Sequence, residues 1–171
     1  MNFMNIKIQT EKEGNWIEAL IIEGTKLQLP DIQMGWRFNF AKYSKEKNTY
    51  TYVLITELNP DIIQGCLIYK MLNNEEPYMA YLEIAPHNKG IEKEFLDIAG
   101  CLIAFACRLS FKLGEGDFKG WLAFDVLEEK KEDEIKLMTV YSSKYGAKRF
   151  GETTMLIEPK EGERLIDKYL K

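Results

Sequence analysis

Three runs rich in β-branched and aromatic residues, then one long apolar run, limit the fold more than any other feature of the chain. The β-runs are Thr49–Glu57 (TYTYVLITE), Ile62–Met71 (IIQGCLIYKM) and Tyr78–Ala85 (YMAYLEIA). Asn59-Pro60-Asp61 separates the first two, and Asn73-Asn74-Glu75-Glu76-Pro77 the second and third. Runs of this composition across short turns predict an antiparallel meander. Pro86-His87-Asn88-Lys89-Gly90 then leads into a helical pattern from about Ile91 to Phe111. Ile91, Phe95, Ile98, Leu102, Phe105 and Leu109 recur at helical spacing, and Ala99, Cys101, Ile103, Ala104 and Ala106 fill other faces. A helix that is apolar nearly all round must be covered, here against the meander. Lys119–Val126 (KGWLAFDV) reads as the next strand. A strand, a crossover helix and a strand predict parallel pairing of 78–85 with 119–126.

The remaining elements follow from periodicity. Asn5–Gln9 reads as a short strand. Glu11–Thr25 carries Trp16, Ile17, Leu20 and Ile21 at helical spacing, and Leu29-Pro30-Asp31 ends that region. Trp36, Phe38, Phe40 and Tyr43 lie in a loop or short helix without a clean period; such a cluster is a core flap or the wall of a ligand site. The charge run Glu128–Glu134 (EEKKEDE) reads as the solvated start of a helix that continues over Ile135–Tyr145, with Gly146 as its C-cap. Thr153–Ile157 is a strand, and Glu161–Leu170 a last helix with Leu165, Ile166 and Tyr169 inward. The expected class is α/β (α+β): a mixed, mostly antiparallel sheet of about six or seven strands flanked by about four helices. One domain over 1–171 is the expectation, because no linker, repeat or composition shift divides the chain.

Composition narrows the function. With 23 Lys and Arg against 27 Asp and Glu, the net charge is −4, a poor balance for a duplex-binding protein. Hydrophobic residues at 46% and charged residues at 29% exclude disordered and low-complexity classes. Three cysteines, Cys66, Cys101 and Cys107, with no CxxC spacing, read as buried thiols in a reducing compartment. A single histidine, His87, provides no His-based metal cage, and no metal is expected. The N-terminal letters show no basic region ahead of a long apolar core, and Ala99–Ala106 is too short to cross a bilayer. A cytoplasmic location without a membrane partner is expected.

Two junctions could carry chemistry. The first is the strand YLEIAP, the turn HNKG and the start of the long helix. A helix N-terminus offers unpaired N–H groups and partial positive charge to a phosphate; an ordinary strand-to-helix turn carries the same letters. The second is VYSSKYGAKRFGETTMLIE, where a Tyr-bearing helix ends in Tyr145-Gly146-Ala147 before a strand. In this order of elements, with Tyr81–Pro86 matching the fourth strand and Tyr141–Ala147 the Tyr-Gly-Ala segment, the chain resembles the GCN5-related N-acetyltransferases (GNAT) from about Thr49 to Ile157. The family's phosphate loop, Q/R-x-x-G-x-G/A, is degenerate here. Counting from Pro86, Lys89 takes the basic position and Glu92 and Glu94 fall on the glycines; counting from His87, Gly90 matches the first glycine and Glu92 the second. Glu134 stands about where the family has an Asn.

The resemblance implies an acetyl-CoA-dependent transfer of acetyl to an amine, in a cleft where two strands splay. Ile84 and Ala85, with the backbone of Glu83, would hold the pantetheine arm. Lys89, Gly90, Ile91, Glu92 and Lys93 would hold the pyrophosphate. Tyr141 would protonate the departing thiolate, with Tyr145 the competing choice, and Glu83 is the candidate base unless strand alternation turns it away. Trp36 and Phe40 would line the site for a small-molecule or peptide amine. His87 reads as a phosphate partner or base, or as an exposed loop residue. Met and aromatic residues leave room for another acyl-CoA. The alternative from a different class is a non-catalytic binding or regulatory protein on the same scaffold, which Glu92 and Glu94 favour. Exposed strands and the amphipathic C-terminal helix would suit a homodimer.

Overall fold

A computed structural model describes residues 3–25 and 27–171. An eight-stranded sheet forms the centre, in the order β1-β2-β3-β4-β5-β6-β8-β7. The strands are β1 (Phe3–Gln9), β2 (Trp16–Glu23), β3 (Thr49–Thr56), β4 (Gly65–Leu72), β5 (Glu76–Ile84), β6 (Leu122–Asp125), β7 (Lys148–Arg149) and β8 (Thr154–Ile157). The helices are α1 (Phe40–Tyr43), α2 (Ile98–Leu113), α3 (Lys131–Tyr145) and α4 (Pro159–Tyr169). All neighbouring strands pair antiparallel except β5 and β6, which run parallel as the crossover pattern requires.

Residues 11–25 form no helix. Trp16–Glu23 is a strand that pairs with β1 through Ala19↔Ile6 and Ile21↔Met4, and with β3 through Ile21↔Leu54. The letters WIEALII satisfy both the helical and the alternating pattern. Alternation wins because Ala19 and Ile21 are fully buried on one face, and β-branched side chains suit a pleated surface. Gly14, with φ +66°, makes the turn that joins the two strands.

The long helix begins at Ile98, later than the Ile91 that periodicity suggests. Residues 94–96 instead lie against the end of β1: Glu11 N–H donates to Glu94 O at 2.9 Å, and Leu96 N–H donates to Gln9 O at 2.9 Å. Asp97 then adopts left-handed backbone (φ 60°), which cannot belong to a right-handed helix.

The sheet separates two cores. The larger lies under α2, α3 and α4 and includes Leu67, Tyr69, Leu102, Phe105, Phe124, Met155 and Leu165. The smaller is closed by the segment 29–43 and contains Trp36, Phe40, Val53, Ile55, Cys66 and Ile68. Close approach of α2 to the sheet depends on Gly65, where an added Cβ would lie 2.8 Å from both Ile98 Cγ2 and Leu102 Cδ1. The apolar face of α4, Leu165 and Tyr169, is buried within the same chain; at Gly100 of α2 an added Cβ would lie 2.6 Å from the Tyr169 ring.

Candidate active site

The site is built where β5 leaves β6. The two strands pair only at Tyr78↔Ala123, and beyond it β5 continues to Ile84 with that edge unpaired among the described residues. A bulge helps to turn β5 away. Opposite β4, Ile68 pairs with Tyr81 and Tyr69 with Met79, so Ala80 is the extra residue. In consequence Ala80 and Tyr81 both face the smaller core, while Met79 and Leu82 face the larger. Where the split begins, Asp125 ties β5 to β8. It accepts hydrogen bonds from the hydroxyls of Tyr78 (2.5 Å), Thr153 (2.9 Å) and Thr154 (2.7 Å). Burial raises its carboxyl pKa, but these three bonds outweigh burial and hold it below the usual value.

A small wedge-shaped cavity of about 90 Å³ fills the split. Met79 to Leu82 form one wall, Phe124 to Glu128 another, and Leu137 and Tyr141 of α3 the third. The Tyr141 ring packs on Phe124, with centroids 4.8 Å apart. Burial pushes its phenol pKa up, Glu128 adds to that, and Arg37 opposes it. The side chain is therefore a protonated phenol throughout the neutral range. Tyr145, one turn on, is buried in the larger core against Tyr169, and it does not line the wedge.

The loop between Gly35 and α1 borders the mouth. Glu83 is 6% exposed, and its carboxylate faces this loop. Its oxygens accept from the backbone N–H of Arg37 (2.9 and 3.0 Å) and of Phe38 (3.0 Å), and from Lys89 Nζ (2.8 Å). Thus Glu83, the candidate base, is a loop anchor in this arrangement. Arg37 reaches across the wedge. Its Nη1 donates to Glu128 Oε1 at 2.8 Å and its Nη2 to Leu127 O at 3.0 Å. Glu134 in turn accepts the Glu128 backbone N–H at 3.1 Å. The run 128–134 is therefore not a uniformly solvated face: the Glu128 side chain is 22% exposed and Glu134 is buried.

Trp36 and Phe40 lie elsewhere than expected. Both are buried in the smaller core, edge to face with centroids 5.9 Å apart, and neither lines the wedge. Arg37 and Phe38, between them in sequence, occupy that place. The other cofactor candidates lie at and beyond the end of β5. Ile84 is half-buried, and Ala85 is buried with its N–H donating to Gln64 O. Lys89 is paired with Glu83. Gly90, Ile91, Glu92 and Lys93 form an exposed loop ahead of α2 rather than its first turn. Gly90 has φ +81° and no atom within 4 Å of where a side chain would stand. His87 is fastened to buried Gln64, Nε2 to Oε1 at 2.6 Å, and lies 4.0 Å from Glu94.

Sequence reasoning missed Arg37 and Glu128, and it named Phe38 only as one of the aromatic cluster. The signal for Arg37 was a lone cation inside the aromatic run WRFNF.

No family model matches the sequence, and no curated protein resembles it in sequence. Solved structures do resemble it in fold. AtaTR bound with acetyl-CoA aligns over 86% of this chain and 98% of that one, with a TM-score of 0.55 and 16% identity. A mutant AtaT toxin bound to the C-terminus of the antitoxin AtaR gives a TM-score of 0.53 at 18% identity over 86% and 96% of the two chains. The KacTA–DNA complex gives 0.51 at 14% identity over 74% and 78%. This chain has the GCN5-related N-acetyltransferase fold. Within the GNAT fold, the meander, crossover helix and Tyr-bearing helix stand in the order read from sequence. Two additions are the full β1–β2 hairpin and the short edge strand β7, which bring the sheet to eight strands. Among the described residues, no helix is long and apolar enough to cross a membrane, and no cluster of His, Cys, Asp and Glu could hold a metal ion.

Proposed function

We propose that this chain is an acetyl-CoA-dependent N-acetyltransferase that moves an acetyl group to an amine. One observation carries the reading: Tyr141, a protonated phenol, stands on the wall of the wedge where β5 and β6 part. The residues there fit acetyl-CoA. The unpaired edge of β5 up to Ile84 offers strand-like hydrogen bonds to the pantetheine amides, whereas Ala85 has its N–H on Gln64 O and its carbonyl on Asn88 N–H and adds only apolar contact. The open turn at Gly90 lets the backbone of Gly90, Ile91, Glu92 and Lys93 approach the pyrophosphate, because nothing fills the space beside it. Lys12 and Lys93 line the same hollow as Glu13, Glu92 and Glu94 and offset two of these three negative charges.

The amine nitrogen attacks the thioester carbonyl, the C–N bond forms and the C–S bond breaks. Tyr141 gives its proton to the sulfur and regains one from the new amide nitrogen; the acceptor's other ammonium proton goes to solvent before the attack and frees the nitrogen lone pair. A thiol and a phenol have ordinary pKa values of about 8.5 and 10, close enough to share a proton in a dry site. The experiment is thiol release with Tyr141→Phe. Turnover is expected to fall about 100-fold or more, with the acetyl-CoA-induced rise in melting temperature retained. Unchanged turnover would refute the role.

A second reading, a non-catalytic binding protein on this scaffold, is favoured by Glu92 and Glu94 in the phosphate loop. It predicts no rise in melting temperature with acetyl-CoA.

A further inference from the structure

The ion pair between Arg37 and Glu128 crosses the mouth of the wedge beside Tyr141, and it does nothing essential for the fold. The loop that carries Arg37 is already fastened through backbone N–H groups to buried Glu83. The Arg37 side chain is 47% exposed, so the pair contributes little to stability. Its position is the notable feature. It joins the loop between Gly35 and α1 to the segment just after β6, and Phe38 and Leu137 line the same wedge. An amine that approaches Tyr141 from this side meets the two charges, which line the wedge with it. A monocation gains Glu128 and strands Arg37. A zwitterion replaces one ion pair with two, its carboxylate on the guanidinium fork and its ammonium on Glu128.

We infer that Arg37 and Glu128 form the acceptor clamp, and that the acceptor class is a free α-amino acid, bound through its own carboxylate and ammonium. This rests on the acetyltransferase reading above. Arg37 takes the carboxylate bidentately, in the plane its Nη1 and Nη2 now present to Glu128 and Leu127 O. Glu128 takes the ammonium and accepts its first proton, which then passes to solvent. The freed amine attacks the thioester carbonyl, and Tyr141 supplies the proton to sulfur. The wedge, at about 90 Å³, has room for an acetyl group and a small amine. Arg37 and Glu128 both act on the Tyr141 phenol, so filling the clamp also changes the field at the acid.

The test is thiol release from acetyl-CoA with a panel of acceptors: the common α-amino acids, their amides, the matching amines without the carboxylate, and spermidine. At least one free amino acid should turn over. Its amide and its decarboxylated amine should be slower by roughly 10-fold in kcat/KM, since each loses the charge-assisted bonds to a half-exposed Arg37. Arg37→Ala keeps the backbone bonds to Glu83. It should raise the amino-acid KM by a similar factor, leave the acetyl-CoA-induced rise in melting temperature unchanged, and be partly rescued by Arg37→Lys. Glu128→Gln should lower kcat and shift the acidic limb of the kcat/KM profile. The inference is overturned by equal or better rates with carboxylate-free amines, amides or spermidine. It is equally overturned by an unchanged KM in Arg37→Ala, or by acetyl-CoA binding without turnover of any panel member. A protein that shows no acetyl-CoA binding refutes the acetyltransferase reading itself, which is a separate outcome.

Discussion

Glu83 distinguishes an anchor from a base, and the two roles predict opposite results. Replacing it with Ala removes three contacts at once: the N–H bonds from Arg37 and Phe38 and the ion pair with Lys89. A buried N–H left unpaired costs about 1–3 kcal/mol. The loop is only partly buried, so water reaches these groups and the lower end applies, roughly 1 kcal/mol each. The Lys89 pair adds under about 1 kcal/mol, because Lys89 is 46% exposed. The expected loss is therefore about 2–3 kcal/mol. For a chain of this length that lowers the melting temperature by about 4–12 °C. Glu83→Gln, which keeps one acceptor oxygen, should fall about midway. The assay is urea and thermal unfolding of both variants beside thiol-release kinetics. As an anchor, Glu83→Gln lowers stability and leaves the pH limb of kcat/KM in place. As a base, Glu83→Gln would lower kcat by about 10²–10⁴-fold and abolish that limb, with the melting temperature unmoved. The second pattern would refute the reasoning.

Other outcomes follow from the same geometry. Gly65→Ala forces a Cβ against Ile98 and Leu102 and should cost about 1–3 kcal/mol, read as a lower urea midpoint at unchanged slope. Burial raises all three thiols, with Cys101 and Cys107 pushed up to about 12, so a disulfide reagent at pH 8 should titrate none in the native protein and all after unfolding. Tyr141 must stay protonated to act, and burial raises its pKa. The kcat profile should therefore show no falling limb below about pH 10; a falling limb near pH 8 would point to another acid.

The meander was legible because β3, β4 and β5 carry their own turn residues and need no distant partner to be recognised. The parallel step to β6 was legible because α2 is too apolar to lie anywhere but on a sheet. Trp16–Glu23 was not, since Ile17, Leu20 and Ile21 satisfy a helix equally well. The deciding facts are its ladders to β1 and β3, which are tertiary. The start of α2 failed for a similar reason: Ile91 and Phe95 keep helical spacing, but residues 94–96 pair with the end of β1. At the site, Tyr141 could be read only through the resemblance of Tyr141–Ala147 to the family's segment. Arg37 and Glu128 meet across 91 residues of chain, and no local pattern announces such a pair. Trp36 and Phe40 were drawn to the site by their place ahead of the meander in the resemblance, whereas the irregular loop turns them into the smaller core and leaves Arg37 and Phe38 on the wedge.

The central claim is that the split between β5 and β6 holds acetyl-CoA. Its most direct test is the melting temperature of the full chain in rising acetyl-CoA and CoA, up to millimolar concentration. A ligand at about 100 times its Kd adds about 2.7 kcal/mol to stability, which for this length is a rise of about 5–11 °C. The account predicts that rise with both ligands. No shift at any concentration would contradict it and leave the fold without its cosubstrate.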